Sequence, residues 1–178
     1  MTKKKTIVAI NGSASKNSSN LKLITWVAKT MGNTYQFIVF ENLSELPHFN
    51  PALTDTDTPK QITAFRNEIS NADAILISTP EYIFSIPSGL KNAIEWCVST
   101  TVFSTKPIGL ITASANGEKG HEELILIMKT LETNFTNETT LLIQGSKGKI
   151  NKNGHITDKK TEYDLTKFIK SFHHLLKD

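Results

Sequence analysis

Ala74-Ile-Leu-Ile-Ser78, followed at once by Thr79-Pro80, is the stretch of sequence that decides the fold. Its unbroken apolar run predicts a short strand that is buried on both faces, as in a parallel sheet covered by helices. Proline cannot donate to a sheet ladder, so the strand has to end before Pro80. The residues that follow therefore belong to a loop at the carboxyl end of a central strand.

Similar β-branched runs lie on both sides of this strand and alternate with longer segments of helical spacing, which is typical of successive βαβ units. The predicted strands are residues 6–10, 35–40, 74–78, 107–112 and 139–143, and the predicted helices are residues 19–31, 60–70, 88–99, 118–134 and 162–176. Short right-handed crossovers leave few topologies, and the flavodoxin-like order 2-1-3-4-5 is a common one for five strands. We therefore predict a single α/β domain over residues 1–178, a three-layer sandwich around a five-stranded parallel sheet.

Two predicted connections are longer than the rest. Residues 41–59 carry three prolines and show no clear period, and loops of that length are often functional or mobile. Residues 144–158 are rich in Gly, Lys and Asn, and we interpret them as a surface excursion rather than a linker, because too little chain follows for another domain.

The overall composition gives little indication of a partner. Twenty basic and 17 acidic residues leave a formal charge of +3, so charge alone makes no case for nucleic acid or for a membrane surface. Cys97 is the only cysteine, which excludes an internal disulfide and is typical of a small buried hydrophobe on a helix. The apolar run after Met1-Thr-Lys-Lys-Lys is too short for a signal peptide, and no run reaches membrane-spanning length, so a cytoplasmic location is expected.

The loop after the first predicted strand is rich in small and hydroxyl residues. It reads Asn11-Gly-Ser-Ala-Ser-Lys-Asn-Ser-Ser-Asn20 and leads into a helix. Backbone N–H groups, hydroxyls and the positive end of the helix dipole can converge there on one anion, which predicts a phosphate site. An ordinary N-cap loop is the alternative, because Ser and Asn are favoured there. The P-loop pattern and the Gly-x-Gly-x-x-Gly pattern do not occur, which disfavours NTP hydrolysis and Rossmann-type NAD binding.

Two further loops are predicted at the same edge of the sheet, where the ligand crevice of such folds lies. Residues 79–96 hold Tyr82 and Phe84 between two prolines, an arrangement suited to lying along a flat aromatic ring. Packing of these aromatic side chains under their own loop or in a subunit interface is the alternative. Residues 113–120 are mostly small, which allows a ligand edge to approach the backbone closely.

Three motifs in these loops resemble those of the NADPH-dependent FMN reductase family. They are Gly-Ser-x-x-x-x-Ser-x-Asn at 12–20, Pro-Glu-Tyr-x-x-Ser-Ile-Pro-x-x-Leu-Lys-Asn-Ala at 80–93, and Ala-Ser-x-x-Gly-x-x-Gly at 113–120. The resemblance covers nearly the whole chain, and the middle motif is its most specific part. It implies a flavodoxin-like protein that binds FMN and passes electrons from NADPH or NADH to quinones, azo compounds, metal oxyanions or free flavin, often as a homodimer or homotetramer.

The resemblance also implies a set of FMN-binding residues. Ser13, Ser15, Lys16, Ser18, Ser19 and Asn20 would surround the phosphate, Pro80, Glu81, Tyr82 and Ile83 would border the isoalloxazine ring, and Ser114, Asn116 and Gly117 would meet one of its sides. The sequence departs from the family at two of these positions. Ser15 stands where an arginine is usual, and Lys16 can replace its charge but not its planar two-pronged geometry. Ile83 stands where an asparagine is usual, so one side-chain amide is missing.

No side chain is predicted to be an obligatory acid or base, because a flavin carries the reactive chemistry itself. Glu81 is the one candidate acid, and a carboxylate bound to solvent or to a backbone N–H is the alternative. His48 is a candidate for the lining of an acceptor pocket, and an ordinary exposed histidine is the alternative. His121 and the adjacent His173 and His174 lack the spacing of metal ligands, so no metal site is predicted.

Other classes of protein could use the same fold. A low-molecular-weight phosphatase needs a Cys nucleophile and an Arg in the first loop, and a phospho-receiver needs carboxylates where this chain has Asn11 and Thr79, so neither matches. A flavin-binding electron carrier or redox-sensing protein without turnover stays open as an alternative. An interaction module whose pocket no longer binds flavin is a second one.

Overall fold

Five parallel strands form the centre of the molecule, for which a computed structural model describes residues 4–177. Residues 1–3, the start of the N-terminal tract discussed above, and residue 178 lie outside the described residues. The strands are β1 (Lys5–Asn11), β2 (Tyr35–Phe40), β3 (Ala74–Thr79), β4 (Ile108–Ser114) and β5 (Thr140–Gln144), and the helices are α1 (Ser19–Met31), α2 (Lys60–Asn71), α3 (Ser88–Glu95), α4 (Glu118–Thr130) and α5 (Lys159–Leu175). The strand order is β2-β1-β3-β4-β5, which confirms the predicted flavodoxin-like fold.

Helices cover both faces of the sheet, because the central strands place apolar side chains on each face in turn. In β1, Ile7 and Ala9 belong to the core formed with α1 and α5, whereas Val8 and Ile10 belong to the core formed with α2, α3 and α4. All residues of β3 are buried, as its unbroken apolar sequence predicts. The result is the predicted three-layer sandwich.

α3 is shorter than predicted, and Cys97 lies just beyond it rather than on it. The helix ends at Glu95, and the carbonyl of Trp96 accepts from Nε and Nη2 of Arg66 on α2 instead of from a helical N–H. Cys97 is 1% exposed, and burial raises the pKa of its thiol to about 12, against the opposing effect of the Arg66 charge. The thiol is thus the small buried hydrophobe expected, although its position was predicted on the helix.

Two other helix boundaries also differ from the prediction, each for a local reason. α4 ends at Thr130, because Glu132 adopts a left-handed conformation with a φ of 56° that interrupts the helix. α5 begins at Lys159, because Asp158 caps it by accepting from the N–H of Thr161 at 2.8 Å. An aspartate just before a helix is a common N-cap. The apolar periodicity from which the helix was predicted does not include this residue, so it gave a later start.

The carboxyl ends of the three central strands lie side by side. Asn11 of β1 is paired with Ser78 of β3, and Thr79 of β3 is paired with Thr112 of β4. The loops that follow β1, β3 and β4 therefore leave the sheet at one edge, where the sequence predicts the ligand crevice. Within residues 4–177, no helix combines the length and the apolar character that a membrane span requires.

Gly109 on β4 provides a test of how closely α5 packs on the sheet. A Cβ at this position would lie 2.7 Å from Cζ of Phe168 and 3.4 Å from Leu76 Cδ1 and Phe172 Cδ2. Overpacking a dense core costs about 1–3 kcal/mol. We therefore expect Gly109→Ala to lower the free energy of unfolding, measured by urea denaturation, by about that amount. Gly148→Ala is the matched control, because a Cβ there meets nothing within 4 Å, and equal stability of the two variants would contradict the packing described.

Candidate functional site

A cleft of about 770 Å³ opens at the carboxyl edge of the sheet, within the range of roughly 300–1,000 Å³ that is usual for small-molecule sites. Its walls are the β1–α1 loop, residues 41–48, the first turn of α3 and the Tyr82 side chain. Four of the predicted site residues line it, namely Ser13, Ser15, Lys16 and Tyr82. The other predicted residues lie outside its lining, and they are Ser18, Ser19, Asn20, Pro80, Glu81, Ile83, Ser114, Asn116 and Gly117.

The β1–α1 loop is folded around the side chain of Asn11, which is 3% exposed. Its Oδ1 accepts from the N–H of Ser13 at 3.2 Å and from Oγ of Ser18 at 3.4 Å. Within residues 4–177, no protein group accepts from the N–H of Ala14 or of Lys16, and both residues line the cleft. These donors and the amino end of α1 are thus available to an anion. Asn11 was predicted as part of the phosphate loop, but nothing in the sequence pattern indicates that its side chain orders the loop from inside.

The side chain of Asn20 points into the protein rather than into the cleft, and the residue is 2% exposed. Its Nδ2 donates to the Ala113 carbonyl at 3.1 Å, and its Oδ1 accepts from Oγ of Ser78 at 2.9 Å. Ser18 is likewise used within the fold, because its Oγ accepts from the N–H of Leu21 at 3.0 Å and so caps α1. The two side chains hold α1 against the strand ends, and this leaves Asn20 only its backbone N–H for a ligand.

The Glu81 carboxylate is bound to backbone, which is the alternative that the sequence analysis gave for it. Its Oε1 accepts from the N–H of Gly117 at 3.2 Å, and its Oε2 accepts from the N–H of Gly120 at 2.8 Å. Ser114 Oγ donates to the Glu81 carbonyl at 3.4 Å. The loop after β3 is therefore joined to the loop after β4 and to the start of α4. Asn116 lies apart from these contacts and accepts from Nε2 of Gln144 at 2.8 Å.

A second carboxylate, that of Glu123 on α4, binds the other end of the same loop. Its Oε2 accepts from Oγ of Ser85 at 2.6 Å and from the N–H of Ile86 at 2.9 Å, and its Oε1 lies 3.3 Å from Nζ of Lys91. Partial burial acts to raise the pKa of this carboxyl, but these hydrogen bonds overcome it and leave the pKa below its usual value. No local pattern in the sequence marks Glu123 as a partner of the loop.

The tip of this loop is a tight turn that exposes two apolar side chains. The N–H of Tyr82 donates to the Ser85 carbonyl at 2.9 Å, and the N–H of Ser85 donates to the Tyr82 carbonyl at 3.1 Å. Between them, Ile83 and Phe84 have φ values of 51° and 59° and are 94% and 72% exposed. Tyr82 reaches back to the cleft, where its hydroxyl lies 3.5 Å from Oγ of Ser13.

The backbone conformation of this turn is unfavourable for an isoleucine at position 83. Asparagine adopts the left-handed conformation with little strain. A β-branched residue is an outlier there, and the conformation costs it about 1–2 kcal/mol of backbone strain. The asparagine that the resemblance implies at this position would therefore suit the backbone conformation better than Ile83 does.

Of the histidines, only His48 lines the cleft within the described chain. His121 Nδ1 lies 2.8 Å from Oγ1 of Thr112, and partial burial lowers the pKa of this imidazole. His173 Nδ1 lies 2.8 Å from the Tyr35 hydroxyl, on another part of the molecule. Among residues 4–177, no three His, Cys, Asp or Glu side chains are placed to hold a metal ion.

Comparison with known proteins shows the family to which this architecture belongs. The model of the NADPH-dependent FMN reductase family matches residues 6–147, which is well over half of the chain. The chain belongs to the NADPH-dependent FMN reductase family. This match confirms the resemblance seen in the three loop motifs. It also confirms the prediction that the chain is an oxidoreductase that uses FMN and NAD(P)H.

Individual relatives of this chain are named as reductases of quinones and flavins. An NADPH:quinone oxidoreductase of Arabidopsis thaliana is 30% identical over 173 residues, which cover 93% of this chain and 88% of the relative. A 2-hydroxy-1,4-benzoquinone reductase of a Burkholderia species is 29% identical over 173 residues, 93% of each chain. Among solved structures, the flavoenzyme NAD(P)H:(acceptor) oxidoreductase FerB of Paracoccus denitrificans superposes with a TM-score of 0.83 and 26% identity, over 97% of both chains.

The residues of the cleft suit FMN. The β1–α1 loop offers the backbone donors of Ala14 and Lys16, the Lys16 ammonium and the amino end of α1 on one side, which matches the negative charge of a phosphate monoester. Tyr82 supplies an aromatic surface on the same cleft, which matches a planar ring. Ser15 lies on this loop without a charge to contribute, so Lys16 is the only Lys or Arg side chain that the described residues bring to the cleft.

Relief of the strain at Ile83 is expected to stabilise the FMN reductase. Since Ile83 has a φ of 51° and is 94% exposed, Ile83→Asn removes about 1 kcal/mol of backbone strain at little cost in buried contacts. The free energy of unfolding, measured by chemical denaturation, should rise by about this amount. Ile83→Val is the matched control, because valine keeps a β-branched side chain at the same positive φ and should leave the stability nearly unchanged. Equal stability of Ile83→Asn and Ile83→Val would show that the turn is not strained.

Proposed function

We propose that this FMN reductase transfers electrons from NADPH or NADH, by way of FMN held in the cleft, to a small-molecule acceptor of the quinone, azo, metal oxyanion or free-flavin class. The observation that carries the proposal is that a donor-rich loop at a helix amino end and an aromatic side chain line one cleft of cofactor size. The names of the relatives, which include reductases of quinones and of flavins, support the quinone and free-flavin classes.

The β1–α1 loop would hold the FMN phosphate. Ser13, Ser15 and Lys16 line the cleft and would contribute side-chain or backbone donors, and Ser19 and Asn20 would contribute backbone N–H groups at the start of α1. Ser18 would act through the cap that it forms on α1. Several hydrogen bonds to a charged oxygen, at roughly 1.5–3 kcal/mol each, are enough to anchor a phosphate monoester.

The loop after β3 would border the isoalloxazine ring. Tyr82 lies on the cleft, and Pro80 and Ile83 would contribute through the backbone beside it. Glu81, Ser114 and Gly117 would fix this border in place through their mutual hydrogen bonds, and Asn116 would extend it. When bound, FMN supplies the redox chemistry, since it takes two electrons from a nicotinamide and delivers them to an acceptor. The chain itself binds the phosphate, orients the ring and shapes the space for the acceptor.

We also propose a homodimer or homotetramer in the cytoplasm. Val98 and Leu126, at 61% and 64% exposed, supply apolar side chains that association would cover. The single, fully buried thiol is consistent with a reducing compartment.

Spectroscopy and turnover together test the proposed function. The purified protein should show the visible absorption of a flavin after FMN is added, and should oxidise NADPH or NADH in the steady state when 1,4-naphthoquinone is the acceptor. Bound flavin without turnover would instead support an electron carrier or redox-sensing protein, although flavodoxin carriers are typically acidic and this chain has a formal charge of +3. If the protein stays colourless after FMN is added, both the reductase and the flavin-binding carrier or sensor are excluded, and an interaction module is favoured.

A substitution at Lys16 tests separately whether the β1–α1 loop holds the FMN phosphate. Loss of one charge-assisted hydrogen bond, worth about 1.5–3 kcal/mol, corresponds to a roughly 10- to 100-fold weaker Kd. We expect Lys16→Ala to weaken FMN binding by that factor, measured by fluorescence titration of the apoprotein, and to leave the binding of riboflavin, which has no phosphate, unchanged. Lys29→Ala is the control, because Lys29 lies in the last turn of α1, at the end of the helix away from the β1–α1 loop. An equal loss of FMN and riboflavin binding in Lys16→Ala would place the phosphate elsewhere.

A further inference from the structure

His48 lies in the middle of the long loop after β2, and the residues on both sides of it are bonded to α3. The Pro47 carbonyl accepts from Nδ2 of Asn92 at 3.0 Å and from Nε1 of Trp96 at 2.8 Å. The N–H of Phe49 donates to Oδ1 of Asn92 at 2.7 Å. Three hydrogen bonds thus fix the backbone before and after His48, although loops of this length are often mobile.

These bonds rest on buried apolar packing. Trp96 is fully buried, and the Phe49 ring packs edge-on against it with 5.4 Å between the ring centroids. Leu46, two residues before His48, is also buried. His48 itself is exposed and lines the cleft. An imidazole on a rigid support is thereby presented to the cleft while solvent still reaches it, which is the arrangement that a functional side chain requires.

We propose that His48 donates a proton to the acceptor bound in the cleft, an inference that rests on the proposed function. A quinone becomes a hydroquinone when it takes up one hydride and one proton, so that NAD(P)H, H⁺ and quinone yield NAD(P)⁺ and hydroquinone. The hydride, with both electrons, originates from NAD(P)H. The proton passes from the imidazolium to a quinone oxygen: the N–H bond breaks, its electron pair stays on nitrogen, and an O–H bond forms. Water then returns a proton to the exposed imidazole.

The cleft contains few other groups that could take this role or alter it. Lys16 faces it from the β1–α1 loop, Tyr82 from the loop after β3 and Glu41 from the beginning of the loop that carries His48, whereas the part of α3 that lines the cleft presents no titratable side chain. Lys16 is assigned to the phosphate, and the Tyr82 hydroxyl lies at 3.5 Å from Ser13 Oγ. An imidazole nitrogen can both donate and accept a proton, so this side chain can release and regain a proton in each turnover.

The first test is the pH profile of His48→Gln, which keeps a hydrogen-bond donor but cannot transfer a proton. With 1,4-naphthoquinone as acceptor, we expect kcat to fall about 100-fold at neutral pH, the low end of the usual contribution of a general acid, with KM changed less. The wild-type kcat should decline with rising pH, because a general acid has to carry its proton, and this decline should be absent from the variant. A variant with the kcat and the pH profile of the wild type would overturn the inference.

The second test does not depend on turnover. In the FMN-loaded protein without NAD(P)H, addition of 1,4-naphthoquinone should shift the NMR signal of the His48 imidazole, which is assigned by its loss in His48→Gln. His155→Gln is the matched control, because His155 is an exposed histidine outside the cleft, and it should retain the wild-type rate and profile. An unmoved His48 signal would overturn the inference. Wild-type protein that binds FMN but does not turn over would instead contradict the proposed function, so the two failures are distinguishable.

Discussion

The buried amide of Asn20 joins the first helix to the ends of two central strands, and the cleft depends on this junction. In a parallel sheet that is covered on both faces, polar side chains at the strand ends lose water and have to be bonded within the protein. The Asn20 amide accepts from the Ser78 hydroxyl and donates to the Ala113 carbonyl. In the neighbouring loop, the Asn11 side chain accepts from the N–H of Ser13. No buried side-chain nitrogen or oxygen among the described residues lacks a partner. The same bonds set the course of the loop between β1 and α1, in which Ala14 and Lys16 line the cleft with N–H groups that no described protein group accepts from.

On the other side of the crevice, two carboxylates hold a loop in place by hydrogen bonds. Glu81 and Glu123 bind the loop after β3 to the start of α4 through backbone N–H groups and one hydroxyl. Because the loop is held at both ends, it can keep two consecutive apolar residues, Ile83 and Phe84, in the left-handed conformation. Strain of this kind persists only where the surroundings determine the backbone, and it is found preferentially at functional sites. The border of the cleft at Tyr82 is therefore held by hydrogen bonds at both ends of its loop.

The fold and the edge of the sheet at which the three loops meet were predictable from the sequence because both depend on local patterns. The unbroken run in β3 predicted a central buried strand, and the order of strands and helices predicted where the three loops meet. Other features depend on partners that are distant in sequence and follow no period. Arg66 ends α3 by binding the Trp96 carbonyl, and Asn92 binds the loop around His48 from a separate helix.

The direction of individual side chains was the least predictable property of the site. Asn20 has the residue type of a phosphate donor, yet the junction of strands uses its side chain. Ile83 differs from the family's asparagine in polarity, which the sequence shows, and in backbone strain, which only the φ angle shows.

A crystal structure of the protein with FMN bound would test the central claim most directly. The account predicts a phosphate within hydrogen-bond distance of the N–H groups of Ala14 and Lys16, with the Tyr82 ring along one edge of the flavin. A phosphate in solvent, or at the end of another strand, would contradict it.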